Sequence, residues 1–316
     1  MTAPHRPAPP ASQPALPAGI TVFERGWLSA NNILLHGAGP AALVDSGYVT
    51  HAPQTVALVQ QALGDQPLAL LLNTHLHSDH CGGNAALQAA YPGLGTWIPP
   101  GQAEQVRQWD PVALSYEPTG QQCPRFRADR LLVPGSEVPL GGRRWQVHGA
   151  PGHDPHSVVL FEPGERILIS ADALWANGFG VVFQELEGEQ AFEEVGATLD
   201  LIEALAPRLV IPGHGGLFAD VAIALQTARR RLHAFRQDPA RHAAHAAKVL
   251  LKFKLLELQR ISCRELERWA MATTCFQLIH GRYFATAQPA AWFLGLVDDL
   301  VTGGAAARVG EELINA

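Results

Sequence analysis

Short apolar stretches and longer amphipathic ones alternate along the first 220 residues in an order that occurs twice. In the first block, apolar runs bounded by Gly, Asn and Pro predict strands, and longer periodic stretches predict helices: strands at 20–27, 31–36, 41–44 and 68–72, and helices at 53–63, 82–91 and 101–109. The second block repeats the order with strands at 130–133, 144–148, 157–161, 166–170 and 208–211 and a helix at 190–206. The repeat predicts two similar halves, each a sheet covered by helices, packed sheet to sheet.

The pattern changes after Gly216, where long helical stretches replace the strands. Helices are predicted at 217–237, 240–259 and 292–301, with a further helix that Ser262 and Glu265 would begin through a capping box. A hairpin at 302–310 follows. We therefore expect a catalytic domain at 20–237 and a small, mainly helical, winged-helix-like domain at 238–316. The competing interpretation is that these helices simply pack against the main domain.

Composition narrows the class of protein. The chain has 316 residues, 47% of them hydrophobic, which is enough for a large core, and its net charge of -6 provides no general attraction for nucleic acid or anionic membranes. Four cysteines without a CxxC pair favour reduced thiols and a cytoplasmic location. Residues 1–19 contain six prolines and no continuous apolar run, so we expect a disordered tail rather than a signal peptide or membrane anchor.

The run from 74 to 80, Thr-His-Leu-His-Ser-Asp-His, is the strongest chemical signal in the sequence. Three histidines and one aspartate lie within six positions, directly after the apolar strand predicted at 68–72. Core packing does not require such a run. Neutral imidazole is the commonest nitrogen ligand of zinc, and a carboxylate adds a hard oxygen. The run therefore predicts a metal site.

Further polar residues stand at the ends of other predicted strands. They are Asp45, His153, Asp172 and His214, and a glycine directly precedes each of the two histidines. Loops at strand ends are where a rigid scaffold presents ligands, and glycine allows the chain to turn tightly there. The four side chains are candidates to complete the site.

Together, the HxHxDH motif at 75–80 and the later His153, Asp172 and His214 resemble the metallo-β-lactamase superfamily over roughly residues 20–220. The resemblance implies an αββα sandwich, an α/β (α+β) fold of two mixed sheets flanked by helices. It implies two divalent metal ions, the first held by His75, His77 and His153, the second by Asp79, His80 and His214, with Asp172 bridging them. Zinc is favoured, and the mixed oxygen–nitrogen second site also suits iron or manganese.

The same resemblance implies a mechanism. Two metals lower the pKa of a bridging water from about 15.7 towards ~7, and the resulting hydroxide attacks a carbonyl or phosphoryl centre. Asp79 would orient this hydroxide and pass a proton to the leaving group. Asp45 would support the ligand loop from behind, or else only form a turn before Ser46. His156 would lie behind the metal ligand His153 or touch substrate, and a surface position is the plainer alternative.

The segment 174–188 is the expected source of substrate specificity. It follows the bridging aspartate and carries Trp175, Phe179 and Phe183, which would line an apolar acyl pocket. The equal alternative is that these side chains fill the core or form a patch covered by a second copy of the chain.

The function predicted is a dinuclear metal hydrolase that acts on a small ester, thioester or lactone. Asp172 argues against a dedicated β-lactamase, because β-lactamases of the HxHxDH type lack this bridging residue. The alternative function is a phosphodiesterase or nuclease whose C-terminal domain binds nucleic acid through a basic set: Lys248, Lys252, Lys254, Arg264 and Arg268. Interleaved glutamates make that set more typical of a solvated helix face. A non-enzymatic metal-dependent sensor is the third hypothesis, and the complete ligand set argues against it.

Overall fold

Two β-sheets face each other in the computed structural model, which describes residues 14–316. Most of the predicted disordered tail, residues 1–13, lies outside the described residues. The first sheet has the spatial order β1 (Ile20–Phe23), β2 (Asn32–Leu35), β3 (Ala41–Val44), β4 (Leu68–Leu72), β5 (Gly95–Ile98) and β6 (Arg130–Leu131). The second has the order β11 (Leu209–Pro212), β10 (Ile167–Ala171), β9 (Val158–Glu162), β8 (Arg143–Gly149) and β7 (Glu137–Leu140).

Apolar side chains from both sheets meet in a shared inner layer. Ile33 and Leu72 of the first sheet belong to the same buried cluster as Trp145, Leu160 and Ile211 of the second. Strands buried on both faces read as continuous apolar runs, which explains the unbroken Leu-rich sequence of β4. This layer is the central part of the core.

Helices cover the two outer faces. They are α1 (Ala52–Leu63), α2 (Ser78–Cys81), α3 (Asn84–Ala90), α4 (Ala103–Gln108), α5 (Tyr116–Thr119), α6 (Phe183–Glu187), α7 (Ala191–Leu205) and α8 (Val221–Gln237). Val59 and Leu87 of α1 and α3 pack on the first sheet. Leu199 and Leu225 of α7 and α8 pack on the second. The layers run helix, sheet, sheet, helix, and the predicted α/β (α+β) sandwich is confirmed.

The C-terminal region is mainly helical. It contains α9 (Pro239–Leu258), α10 (Cys263–Ala272), α11 (Thr274–Tyr283), α12 (Pro289–Thr302) and a small sheet of β12 (Arg260–Ser262), β14 (Glu312–Asn315) and β13 (Ala306–Val309). Phe276 and Phe293 lie at the centre of its apolar cluster, which also takes in Val181 and Leu186 from the segment around α6. The C-terminal helices therefore pack directly on the segment that follows β10.

The sequence-based element predictions differ from the structure in a few places. The elements absent from the prediction are β5, β7, β12, α2, α5, α6 and α11. The predicted hairpin at 302–310 is displaced, because its strands are β13 and β14. The capping box is present, with Ser262 Oγ accepting from the Glu265 amide. Within residues 14–316, no helix has both the length and the hydropathy needed to cross a membrane.

Candidate metal centre

The histidine-rich run forms a tight turn at the carboxyl end of β4. His77 has extended backbone angles (φ −64°, ψ 149°) and precedes α2, which carries Asp79 and His80. The His80 and Cys81 amides both donate to the carbonyl of His77, which closes this turn. The extended residue followed by one helical turn brings side chains from both parts of the motif to the same side of the strand end.

The remaining predicted ligands come from the second sheet. Strands β8, β10 and β11 run in the same direction, since β9 is antiparallel to both of its neighbours and β11 is parallel to β10. Their carboxyl ends therefore reach the same edge, where His153, Asp172 and His214 follow the three strands. Both sheets contribute their carboxyl edge to one site.

Close backbone approach at this edge requires glycine at Gly213. A Cβ placed there would lie 2.2 Å from Asp172 Oδ1 and 3.0 Å from the backbone carbon of Ala171. Ala171 itself has φ 46°, an unusual conformation for a non-glycine residue that often accompanies functional sites. The close approach of Gly213 and the left-handed backbone of Ala171 thus both constrain the position of Asp172.

Seven side chains converge in two adjacent groups. The first contains His75, His77 and His153, and the second contains Asp79, His80, Asp172 and His214; within each group the ligand-type atoms lie within 4.8 Å of one another. His77 Nδ1 is 2.8 Å from His153 Nε2, and His214 Nε2 is 3.1 Å from Asp79 Oδ2. The structure therefore brings together all seven residues singled out in the sequence.

Asp172 lies between the two groups. Its Oδ2 is 3.4 Å from His153 Nε2 of the first group, and its Oδ1 is 3.4 Å from His80 Nε2 of the second. Ligand atoms bound tetrahedrally at about 2.0–2.1 Å from zinc are about 3.3 Å apart. The carboxylate thus has one oxygen at a suitable spacing for each group.

Contacts behind the imidazoles orient three of them. His80 Nδ1 is 2.8 Å from Asp45 Oδ2, His153 Nδ1 is 2.6 Å from the Val181 carbonyl oxygen, and His214 Nδ1 is 3.1 Å from the Gly26 carbonyl oxygen. An acceptor at Nδ1 keeps the proton there and leaves Nε2 with a free lone pair facing the site. This is the arrangement in which a histidine binds a metal through Nε2.

The residues present fit a pair of metal ions. Nε2 of His75 and of His80 is buried and has no hydrogen-bond partner among the described residues. His80 Nε2 is near Asp172 Oδ1, but the two groups are not aligned for a hydrogen bond. Buried imidazole nitrogens without partners are costly, and a cation would satisfy both. The donor set of five histidines and two aspartates also suits zinc or a similar divalent metal.

Burial and neighbouring charges shift the pKa values of these residues in different directions. Burial lowers the pKa of His75 well below its ordinary value, and it lowers that of His153 to about 4. Burial also disfavours the charged form of His80, but Asp172, Asp45 and Asp79 outweigh it and raise the His80 pKa. For Asp172, His80 and His214 outweigh burial and lower the pKa. Asp172 and the low-pKa His75 and His153 are thus in the protonation states that metal ligands need, whereas His80 would release a proton on binding a metal.

Residues of both groups line a cavity of about 750 Å³: His77, Asp79, His153, Asp172 and His214. Trp175 and Phe183 line it, and their contact with a substrate stays a prediction. Phe179 does not line the cavity, which corrects the prediction that it contacts substrate. Its side chain is 1% exposed and packs in the core against Phe235. The reason is that Trp175 and Gly178 pair their backbones in a tight turn, and the chain beyond it returns to the core.

His156 lies on the same cavity wall, with its ring against Gly101 and its amide donating to Asp154 Oδ1. Asp45 lies behind the histidine run, where it also accepts from the Thr74 amide at 2.9 Å. These positions are near the site, and neither side chain belongs to the two ligand groups.

Most residues of the cavity wall were not singled out in the sequence, and three of them carry polar or aromatic chemistry near the site: Trp27, Arg231 and His245. The Trp27 ring stacks on that of His214, with centroids 5.4 Å apart and planes 9° from parallel. It stands in a loop without a motif. Arg231 belongs to an arginine triplet in an amphipathic helix, and nothing in the sequence distinguishes it from Arg229 and Arg230.

A comparison with protein families matches the model described as "Metallo-beta-lactamase superfamily" to residues 25–214, more than half of the chain. The fold, the two ligand groups and this match define the class: the protein is a metal-dependent hydrolase. The chain belongs to the metallo-beta-lactamase superfamily.

Curated relatives bear the name hydroxyacylglutathione hydrolase. The one from Xanthomonas campestris pv. campestris (strain B100) is 31% identical over 246 residues, covering 76% of this chain and 80% of the relative. The one from Anaeromyxobacter dehalogenans (strain 2CP-C) is 34% identical over 158 residues, covering 49% and 51%. The alignment thus spans only about half the length of the second relative.

Solved structures share the fold over nearly the whole chain. A beta-lactamase domain protein from Burkholderia ambifaria has a TM-score of 0.58 at 21% identity and covers 98% of this chain and 97% of that one. A metallo-beta-lactamase family protein from Thermus thermophilus has a TM-score of 0.57 at 22% identity and covers 96% and 100%. At these identities the likeness concerns the fold alone.

Proposed function

We propose that the protein hydrolyses a small thioester, ester or lactone at a dinuclear metal centre. The observation that carries the proposal is the placement of two adjacent His/Asp groups on the wall of a cavity large enough for a small molecule. The relatives' name supports the thioester in particular, since an acylglutathione is a thioester.

We assign the first metal to His75, His77 and His153 and the second to Asp79, His80 and His214, with Asp172 shared. Zinc is our choice at both positions, and iron or manganese at the second would also fit its oxygen ligands. Two bound divalent cations supply Lewis acidity and lower the pKa of water. The protein's part is to hold them at fixed positions and to exclude competing ligands.

Asp79 is the residue we assign to proton transfer. Its side chain is 14% exposed, more than that of His80, Asp172 or His214 in the same group, and it lines the cavity. His80 and His214 outweigh the effect of burial and lower its pKa, so the carboxylate is ionised. An ionised, accessible carboxylate can accept a proton from the attacking water and deliver it to the leaving group.

The cavity wall supports a substrate with an apolar part. Val249, Leu250, Phe253 and Leu278 of the C-terminal helices line it, together with Phe183, whose ring lies 6.0 Å from that of His77. Burial of an acyl chain against such side chains contributes roughly 25 cal/mol per Å² of apolar surface removed from water. A lactone or acyl thioester with a short hydrocarbon chain would bury that chain against this wall.

The alternative, a phosphodiesterase or nuclease, has weaker support. Lys248 pairs with Asp299 at 2.9 Å, Lys252 donates to the Ala305 carbonyl at 2.6 Å, and Lys254 is buried beside Glu257. These lysines are engaged within the protein and do not form a free basic strip.

The free thiols of all four cysteines support the proposed location in the cytoplasm.

The test is metal analysis combined with a hydrolysis screen over thioesters, esters, lactones, β-lactams and phosphodiesters. We expect two metal ions per chain and a kcat/KM for at least one thioester, ester or lactone that exceeds that for any phosphodiester by more than about 100-fold, a difference near 2.7 kcal/mol in transition-state stabilisation. Turnover of phosphodiesters alone would support the alternative. Absence of bound metal would refute both.

A further inference from the structure

Arg231 of α8 lies on the wall of the cavity, and among the cavity-lining residues of the described chain it is the single Lys or Arg. Its Nη2 is 2.5 Å from His245 Nε2, and its Nη1 donates to the Asn177 carbonyl oxygen at 3.4 Å. The guanidinium also lies over the rings of Phe179 and Phe235, at 5.6 and 5.4 Å from their centroids. The side chain is thus held in place by neutral groups.

Two other arginines of α8 have structural roles, because each forms ion pairs with neighbouring carboxylates. Arg229 pairs with Asp200 and Glu203 of α7, both at 2.7 Å, and Arg236 pairs with Glu193 at 3.0 Å. In the part of the chain that the structure describes, no carboxylate lies within 4.0 Å of the Arg231 guanidinium nitrogens. Arg231 therefore differs from Arg229 and Arg236 in lacking a counter-charge, and it differs from Arg230, which is exposed and bonds only to Thr227, in lying on the cavity wall.

Unused hydrogen-bond donors distinguish Arg231 from Arg25, a second arginine with neutral partners. Arg25 donates to Asn32, Thr55 and Gln54 at 2.7–2.9 Å and does not line the cavity. Arg231 uses only two of its five N–H groups on acceptors within residues 14–316. The remaining three have no acceptor within those residues.

Burial of this guanidinium has an energetic cost that a ligand can offset. Arginine stays protonated at any accessible pH, so it cannot avoid burial by losing its charge. His245 accepts a hydrogen bond, and its pKa is lowered to about 3 by burial and by Arg231 itself, so it adds no charge of its own. A carboxylate or a phosphate would supply the missing counter-charge and match the fork of donors.

We propose that Arg231 binds an anionic group of the substrate, a carboxylate or a phosphate, joined through an apolar segment to the scissile bond. Arg231 makes no hydrogen bond to any of the seven His/Asp residues, and apolar side chains such as Leu250 line the same cavity, so the anionic group and the scissile bond would occupy different parts of it. Glu187 and Glu189 also line the cavity and would disfavour an anion beside them. The substrate class named here rests on the proposed hydrolase function.

The experiment uses matched thioesters of N-acetylcysteamine with the metal-loaded enzyme. The acyl groups are hexanoyl, adipoyl, which adds a terminal carboxylate, and 6-phosphonohexanoyl, which adds a phosphonate. A fourth thioester, hexanoyl 3-mercaptopropionate, places the carboxylate on the thiol side. The wild type is expected to have a KM at least about tenfold lower for one of the anionic compounds than for the hexanoyl thioester, which corresponds to about 1.4 kcal/mol.

Variants of Arg231 then assign this preference. R231Q should raise the KM of the favoured anionic thioester at least about tenfold more than that of the hexanoyl thioester, and R231K should retain part of the preference. R230Q, the matched control on the adjacent exposed arginine, should leave the preference unchanged. Equal effects of R231Q on the neutral and anionic compounds, or no anionic preference in the wild type, would refute the proposal.

A binding measurement that needs no turnover distinguishes failure of the anion site from failure of the proposed hydrolase function. The same compounds are prepared as thioethers, with a methylene in place of the carbonyl, and are titrated by calorimetry into wild type, R231Q and R230Q. If no thioester is hydrolysed but an anionic thioether binds more tightly to wild type than to R231Q, the anion site stands and the thioester part of the proposed function falls. Equal binding of neutral and anionic thioethers contradicts the anion site itself.

Discussion

Asp45 Oδ2 lies 2.8 Å from His80 Nδ1, and both side chains are almost fully buried. The same carboxylate accepts from the Thr74 amide at 2.9 Å and from the Thr74 hydroxyl at 2.8 Å. Asp45 has φ 60°, a left-handed conformation that Asp tolerates better than most residues. One carboxylate at the end of β3 thus fixes both the start and the end of the histidine run.

Asp45→Ala should weaken metal binding without removing a ligand. Loss of the acceptor leaves the Thr74 amide unpaired and frees the His80 ring to rotate, so we expect metal affinity to fall about 10–100-fold. The unpaired buried donor should also lower the free energy of unfolding by about 1–3 kcal/mol. Chelator competition and urea unfolding measure the two effects. Asp65→Ala, at an exposed turn, is the control, and an unchanged affinity in Asp45→Ala would exclude the support role.

His77→Ala should reduce bound metal below two ions per chain and abolish hydrolysis. His77 supplies one of only three nitrogen donors in its group, and the remaining two cannot complete a tetrahedral site. Metal content measured by atomic emission is the direct check. His233→Ala, an exposed histidine on α8, should keep the wild-type stoichiometry. Two tightly bound ions in His77→Ala would show that the ligand assignment is wrong.

Gly213→Ala should disturb the position of Asp172. The added Cβ would meet Asp172 Oδ1 and the backbone of Ala171, so the carboxylate or the chain must shift. Overpacking of this kind costs typically about 1–3 kcal/mol, and we expect lower metal affinity as well as a lower unfolding free energy. Gly281→Ala is the matched control, because its Cβ would meet no atom within 4 Å and it lies inside α11. That change should stabilise the helix by up to about 1 kcal/mol.

His242 should make the protein less stable as pH falls from about 6.5 to 4. Burial, and secondly Arg231, lower its pKa to about 4, and its Nε2 accepts from the Val182 amide at 3.3 Å. Above pH 6.5 the histidine is neutral in both states; between 6.5 and 4 only the unfolded chain takes up the proton, so stability is lost. At pH 5 this amounts to about 2 kcal/mol.

The measurement for His242 is urea unfolding of wild type and His242→Gln at pH 7 and pH 5. Glutamine can still accept from Val182 but does not titrate, so the variant should lose about 2 kcal/mol less stability than wild type between the two pH values. Arg231 and His245 are the charged or titratable groups near this ring, and they are unchanged in the variant. Parallel losses in the two proteins would show that His242 is protonated in the folded state.

The αββα order and the seven converging residues could be predicted from the sequence because each signal is local. The histidine run follows directly on a Leu-rich strand, and His153, Asp172 and His214 each follow a strand of the second sheet. Strands with their carboxyl ends at one edge bring such residues together. The boundary between residues 237 and 238, drawn where two long helices meet, stays a prediction.

The cavity wall could not be predicted in the same way. Phe179 and Phe183 occur in one aromatic-rich segment, yet one is in the core and the other faces the cavity. The difference depends on the turn between Trp175 and Gly178 and on how α6 meets the C-terminal helices. Arg231 could not be singled out either. What distinguishes it is that no carboxylate lies nearby, and the sequence does not show which side chains will be close in space.

The cavity is formed by two stretches of the chain that contribute different things. All seven His/Asp residues come from positions 75–214, whereas Arg231, Val249 and Leu278 of its wall come from α8, α9 and α11. Substitutions in these helices can therefore change which substrate fits the cavity while the seven His/Asp residues stay the same. A library randomised on this wall alone is the natural starting point for engineering new substrate preferences.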